Sequence, residues 1–195
     1  MTTLRQIQIA SQVIAFLFCA IVLCGWLSDS LKLTSWGGNV TSKPTTAICL
    51  ALLNMVLLSR SETKLWGKGV AAFVVFYAVA SLIPDLGAST WFIEERAGAI
   101  NSVAPGVLSI VAAVLICCWS VVIDFQTFIN TACGLSVALA LVALAGHATD
   151  KPLMTYYVPE LATGMAVPTA GILLLMGVGY YEPDKTRYYF LRNRK

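Results

Sequence analysis

The chain has 195 residues, of which 58% are hydrophobic and 12% charged, and its formal net charge at pH 7 is +3. Soluble domains carry about 25% charged residues, and the charges here cluster between long apolar blocks. This composition predicts one integral membrane domain and excludes a soluble globular domain. The six cysteines all fall inside apolar blocks without CxxC spacing, so we expect no metal site and no cofactor.

Six apolar blocks are long enough, or nearly so, to cross about 30 Å of hydrocarbon. The sequence therefore predicts an all-α fold of six transmembrane helices, at residues 7–27, 44–59, 66–83, 103–123, 125–146 and 160–181. We expect the first block to be a retained helix, because its apolar stretch is longer than that of a signal peptide. Residues 1–181 would then form the membrane domain, and residues 182–195 a basic cytoplasmic tail.

The lysines and arginines predict the orientation. Nine of them lie on the side that would hold both termini, and four lie on the opposite side. The positive-inside rule therefore places both termini in the cytoplasm. Each pair of helices becomes a hairpin that runs outward, crosses an external loop and returns.

Each predicted return helix opens with a similar phrase: "SKPTTAICLALLNMVLL" at 42–58, "SVAPGVLSIVAAVLI" at 102–116 and "GMAVPTAGILLLMGVG" at 164–179. The residues that define this helix-start motif are Pro44, Thr46, Pro105, Pro168 and Thr169. A phrase that recurs about every sixty residues predicts an internal repeat of three two-helix units.

The proline of the motif suits the first turn of a helix, because proline has no N–H group to leave unsatisfied. Nearby hydroxyls, such as those of Ser42 and Thr163, could cap the exposed N–H groups. In the third copy Pro159 is an alternative start, which would leave Pro168 as a kink inside the helix. A further alternative is that the three positive helix ends face an external site.

These phrases resemble the six-helix N-terminal membrane input domain of bacterial sensor histidine kinases and diguanylate cyclases. The run from Pro44 to Ala47 is similar to that family's "M-S-P-x-T-A", and residues 164–177 are similar to "G-M-A-x-x-T-A-x-x-F-L-L-L-G". Residues 182–184 also look like the family's exit from the last helix. The resemblance implies a sensory module. No kinase or cyclase output domain follows residue 195, so we expect signalling through a partner and no enzymatic activity.

Aromatic and charged residues gather in the predicted external loops, where they could form a rim that contacts a ligand or a partner. The candidates are Trp36, Trp91, Phe92, Glu94, Glu95, Arg96, His147, Tyr156 and Tyr157. An amphipathic segment lying on the membrane is an alternative explanation for residues 84–101. For His147 the alternative is an interfacial, hydrogen-bonding histidine.

The tail combines aromatic residues with five basic residues, which are Lys185, Arg187, Arg192, Arg194 and Lys195. Beside a cytoplasmic membrane face, this pattern favours binding to anionic lipid headgroups. Docking of a cytoplasmic protein is the alternative, and no nucleic-acid partner is expected.

Two polar residues, Asn54 and Asn130, fall within or near predicted spans and are expected to face other helices. No charged residue lies in the middle of a span, which argues against a proton pump or a voltage sensor. The sequence thus favours a non-catalytic sensory or regulatory module in a bacterial inner membrane, acting through a protein partner. The alternatives are a structural or assembly subunit of a larger membrane complex, and a small enzyme or carrier for a lipidic substrate.

Overall fold

In a computed structural model of the chain, the structure describes residues 3–37, 41–58, 65–80, 125–155, 157–158 and 162–181. The predicted span at 103–123, the external stretch 84–101 and the tail 182–195 lie outside these residues. The described part is helical apart from one short β pair.

The helices are α1 (Thr3–Leu27), α2 (Leu31–Ser35), α3 (Pro44–Leu58), α4 (Leu65–Ala80), α5 (Phe125–Ala148) and α6 (Val167–Tyr180). A 3-10 turn covers Pro152–Thr155. Strands β1 (Tyr157–Val158) and β2 (Ala162–Thr163) pair antiparallel, with Tyr157 opposite Thr163.

The last helix begins at Val167, later than the expected residue 160. The chain before it is not helical, because Gly164 adopts a φ of 82° and Ala166 is extended. Pro168 therefore lies in the first turn of α6, and the alternative in which it kinks the helix is wrong. The N-cap position of α6 is Ala166, which makes no side-chain cap hydrogen bond, and Thr163, expected as a cap, lies on β2.

Helix α1 lies at the centre of the described packing. It contacts both α3 and α6, while α5 packs on α6 and α4 packs on α3. The apolar core lies among these helices and includes Ala15, Cys19, Leu50, Val74, Ala140, Ala170 and Ile172. We call the end of the bundle at which α1 and α5 finish the turn end, and the opposite end, at which α1 starts and α6 finishes, the terminal end.

Within the described residues, two helices are long and apolar enough to cross a membrane, namely α1 and residues Asn130–Ala148 of α5. Only 28% of the apolar stretch of α1 and 33% of that of α5 is buried, whereas the core helix of a soluble protein is mostly buried. The outward side chains of α1 are large and apolar: Leu17 is 53% exposed and Phe16 is 43% exposed. Exposed apolar surface of this kind fits contact with lipid.

The turns that follow α1 and α5 have the same backbone structure. Asp29 and Asp150, which lies 121 residues later, both adopt a φ of 51°. The next residue in each turn donates its N–H to a glycine carbonyl five residues earlier, over 2.8 Å to Gly25 and 3.0 Å to Gly146. Each turn therefore ends its helix by the same left-handed reversal.

The same spacing relates the glycines and threonines of these two turns. A methyl group added at Gly25 would lie 2.9 Å from Cγ2 of Thr34, and one added at Gly146 would lie 2.8 Å from the backbone N of Thr155. Both glycines thus let the turn fold back closely on its helix. Thr34 and Thr155 are buried, and their carbonyls accept hydrogen bonds from the N–H groups of Ser42 and Met165.

Buried positions on α1 and α5 follow this spacing too. The buried side chains of α1 are Ser11, Gln12, Ala15, Cys19 and Val22, and their counterparts 121 residues later are Ala132, Cys133, Ser136, Ala140 and Ala143. All five counterparts are buried. The two helices therefore present equivalent faces to the bundle.

Candidate functional site

The two described helix-start motifs meet at the turn end. Pro44, Thr46, Pro168 and Thr169 are all buried, so neither motif is open to an external ligand. The hydroxyls of Ser42 and Thr169 lie 2.9 Å apart and share a buried hydrogen bond. Ser42, expected to cap α3, instead joins the start of α3 to the start of α6.

Two aromatic side chains bond to the backbone just before α3 and α6 begin. The indole N–H of Trp26 donates to the carbonyl of Ser42 over 2.6 Å. At the position 121 residues later, Nε2 of His147 lies 2.7 Å from the carbonyl O of Met165. In each hairpin, a side chain near the end of the first helix thus holds the residue that leads into the second. This contact is the hydrogen-bonding role weighed for His147.

Trp36 is half-buried and folds over the same end of the bundle. Its ring meets that of Phe18 edge to face, with centroids 4.6 Å apart and planes at 83°. A methyl group added at Gly171 would lie 3.6 Å from Cζ3 of Trp36, so the indole also covers α6. Trp36 adopts a φ of 50°, which a bulky residue rarely takes. In this conformation its ring packs against Phe18 and α6.

Two glutamines of α1 hold the last turn of α6 at the terminal end. The side-chain amide of Gln12 donates to the carbonyl of Gly179 over 2.8 Å, and that of Gln8 donates to the carbonyl of Tyr181 over 2.5 Å. Carbonyls in the last turn of a helix have no partner within the helix. The bond from Gln12 is buried, where an unsatisfied carbonyl costs free energy, so it stabilises the end of α6.

Asn54 connects the same region to α3. Its side chain is fully buried and donates to the carbonyl of Gln12 over 2.7 Å. The hydroxyl of Tyr180 donates to Oδ1 of Asn54 over 2.9 Å. The prediction that Asn54 faces other helices is confirmed. We call Gln8, Gln12, Asn54 and Tyr180 the terminal-end cluster.

Close packing of α6 accompanies the terminal-end cluster. A methyl group at Gly179 would lie 2.8 Å from Cγ of Gln12, and one at Gly177 would lie 2.9 Å from the carbonyl O of Cys133. Because Gly179 has no side chain, α1 can approach it closely, and Gly177 allows the same for α5. The C-terminal part of α6 is therefore packed closely between α1 and α5.

The polar side chains described above make hydrogen bonds that join helices or fix turns. Amides, hydroxyls and ring N–H groups bond across helices or to the backbone of the turns that precede them. No group of three His, Cys, Asp or Glu side chains in the described part of the chain could hold a metal ion.

Among the predicted rim residues, Tyr157 lies on β1. The remaining members of the rim, helix-start and tail predictions lie outside the described residues, and these are Trp91, Phe92, Glu94, Glu95, Arg96, Pro105, Tyr156, Lys185, Arg187, Arg192, Arg194 and Lys195.

Sequence reasoning missed the two glutamines. Gln8 and Gln12 lie four residues apart, one turn along α1, inside the apolar block of the first predicted span. Polar residues on one face of a membrane helix point to a helix contact, so this spacing was an available signal.

Comparison of the chain with protein-family models, with curated proteins and with solved structures finds no match.

Proposed function

We propose that the protein is a non-catalytic, multi-pass membrane module with a sensory or regulatory role, which acts through a protein partner. The observation that carries this proposal is the way α6 is held. Thr169 joins it to Ser42 at the turn end, and Tyr180 joins it to Asn54 at the terminal end. A helix fixed at both ends to the same neighbours can carry a displacement from one membrane face to the other.

The matched turns support an architecture of three hairpin repeats with six transmembrane helices. They lie 121 residues apart, which leaves room for one further unit of the length that separates Pro44 from Pro105. The charge distribution favours cytoplasmic termini and a bacterial inner membrane. Membrane lipids would then contact the exposed apolar faces, and the basic residues of 182–195 would bind headgroups or the partner.

The use of the polar groups supports a role without catalysis. Gln12, Asn54, Thr169 and His147 each make a hydrogen bond that joins helices or fixes a turn. Such bonds position backbone elements. The resemblance to sensor input domains supports the same conclusion, with Trp36 and the external loops as the region that would sense a ligand.

A second candidate function is that of a structural or assembly subunit of a larger membrane complex. An exposed aromatic flank on α4 favours it: Trp66, Phe73 and Phe76 lie along one side, and Phe76 is 69% exposed. Aromatic residues are enriched where proteins meet. In the first candidate the partner responds to a change in the conformation of the module. In the second the partner needs the module only for assembly.

The test is gentle solubilisation of native membranes, followed by mass spectrometry of the proteins that co-purify with the tagged chain. A regulatory module is expected to retain a cytoplasmic signalling protein, and the conformation of the chain should change when the external medium changes. A constitutive assembly of membrane subunits would favour the second candidate. A monodisperse monomer with no associated protein would contradict both.

A further inference from the structure

The terminal-end cluster is absent from the matched positions of the other described hairpin. Gln12 matches Cys133, and Asn54 matches Gly177, which lies 123 residues later, the same spacing that separates Ala47 from Ala170. In the first hairpin, the side chain of Asn54 bridges to the carbonyl of Gln12. In the other, Gly177 packs directly on the carbonyl of Cys133.

The two hairpins therefore bring the same backbone positions together in different ways. The contact between α5 and α6 shows that this scaffold packs two helices here with a cysteine and a glycine. The pairing of the two helices of a hairpin therefore does not require the polar side chains found in the first hairpin. Their other partners are the carbonyl of Gly179, in the last turn of α6, and that of Tyr181, the residue that follows the helix.

We propose that the terminal-end cluster is the coupling point of the module: it fixes the last turn of α6 to α1 and α3, so that a movement of either helix changes how the chain after Tyr181 is presented to a partner. This inference rests on the proposed function. Gln8 and Gln12 act from α1, and Asn54 acts from α3, through Tyr180.

The first arm of the test measures order in α6. Gln12→Met removes the amide but keeps an unbranched side chain of similar length, and Tyr180→Phe removes one hydroxyl. In lipid nanodiscs, hydrogen exchange of the last turn of α6 is expected to be about tenfold faster in each variant, because one cross-helix bond is lost. Gly134→Ala, on an open face of α5, is the matched control and should leave this exchange unchanged.

The second arm measures presentation to a partner. A photo-crosslinking amino acid replaces Tyr181, which is 51% exposed. The adduct formed in native membranes is expected to fall at least fivefold in the Gln12→Met and Tyr180→Phe backgrounds, and to persist with Gly134→Ala.

Each outcome decides a separate point. Unchanged exchange in both variants overturns the coupling role. Faster exchange with an undiminished adduct also overturns it, since the cluster would then stabilise α6 without affecting the partner. The absence of any adduct or co-purifying protein with the otherwise native chain overturns the proposed function itself.

Discussion

At the scale of single residues, the aspartates that follow α1 and α5 share an uncommon backbone conformation. Asp29 and Asp150 both adopt a φ of 51°, in the left-handed region that helices often use to terminate. Aspartate tolerates this region better than most residues, whereas a β-branched side chain does not. The conformation, more than the charge, therefore constrains these positions.

Asp150→Val is expected to lower the free energy of unfolding by about 1–2 kcal/mol, because valine clashes with its own backbone in the left-handed region. Asp150→Gly removes the same carboxylate without that clash, so it should keep the native stability. Thermal unfolding in detergent compares the two variants. Equal loss in both would show that the carboxylate, and not the backbone, is what matters.

Two glycines, Gly177 on α6 and Gly134 on α5, offer a second contrast at this scale. A methyl group at Gly177 would lie 2.6 Å from Cγ2 of Val137, so Gly177→Ala should cost about 1–3 kcal/mol through overpacking. Gly134 has open space around it, so Gly134→Ala should leave stability unchanged or raise it by up to about 1 kcal/mol. Melting temperatures of the two variants in the same detergent check this difference. Similar values for both would contradict the close approach of α5 and α6.

At the scale of elements, the sequence predicted the helices better than their contacts. The proline-headed start of α3 could be located from the sequence, because proline suits the first turn of a helix. The predicted start of the last helix, residue 160, lies seven residues before the observed start at Val167, because the letters of the short strand β2 (Ala162–Thr163) are as compatible with a helix as with a strand. The hydrogen bond between Gln12 and Gly179, which are 167 residues apart in the chain, could not be predicted. No local feature of the sequence specifies which helices become neighbours.

The joint between α3 and α6 gives a prediction for the pair of elements. Ser42→Ala and Thr169→Val each leave one buried hydroxyl partner unsatisfied, so each should cost about 1 kcal/mol. The double variant should cost less than the two losses added together, with a coupling of about 0.6 kcal/mol. A double-mutant cycle of unfolding free energies measures this coupling. Strict additivity would mean that the hydroxyls do not bond in the membrane.

For the whole molecule, the exposed apolar faces and the charge distribution must be consistent with one position and orientation in the membrane. Leu17 lies in the middle of α1, on its outward face, and would contact lipid. Arg5, at the terminal end, and Lys151, at the turn end, are both exposed and would lie on opposite sides of the membrane. In the proposed orientation, which follows the positive-inside rule, Arg5 is expected in the cytoplasm, so these three positions test both membrane embedding and orientation.

In a background without native cysteines, Lys151→Cys is expected to react with a membrane-impermeant maleimide in intact bacterial cells. Arg5→Cys should react only after the membrane is opened, because the reagent cannot cross it. Leu17→Cys is the matched control and should stay unreactive in both states, since hydrocarbon suppresses the thiolate that attacks the maleimide. The readout is the fraction of protein labelled at each position. Reaction of Arg5→Cys in intact cells with protection of Lys151→Cys would reverse the proposed orientation, and free reaction of Leu17→Cys would contradict a membrane-spanning α1.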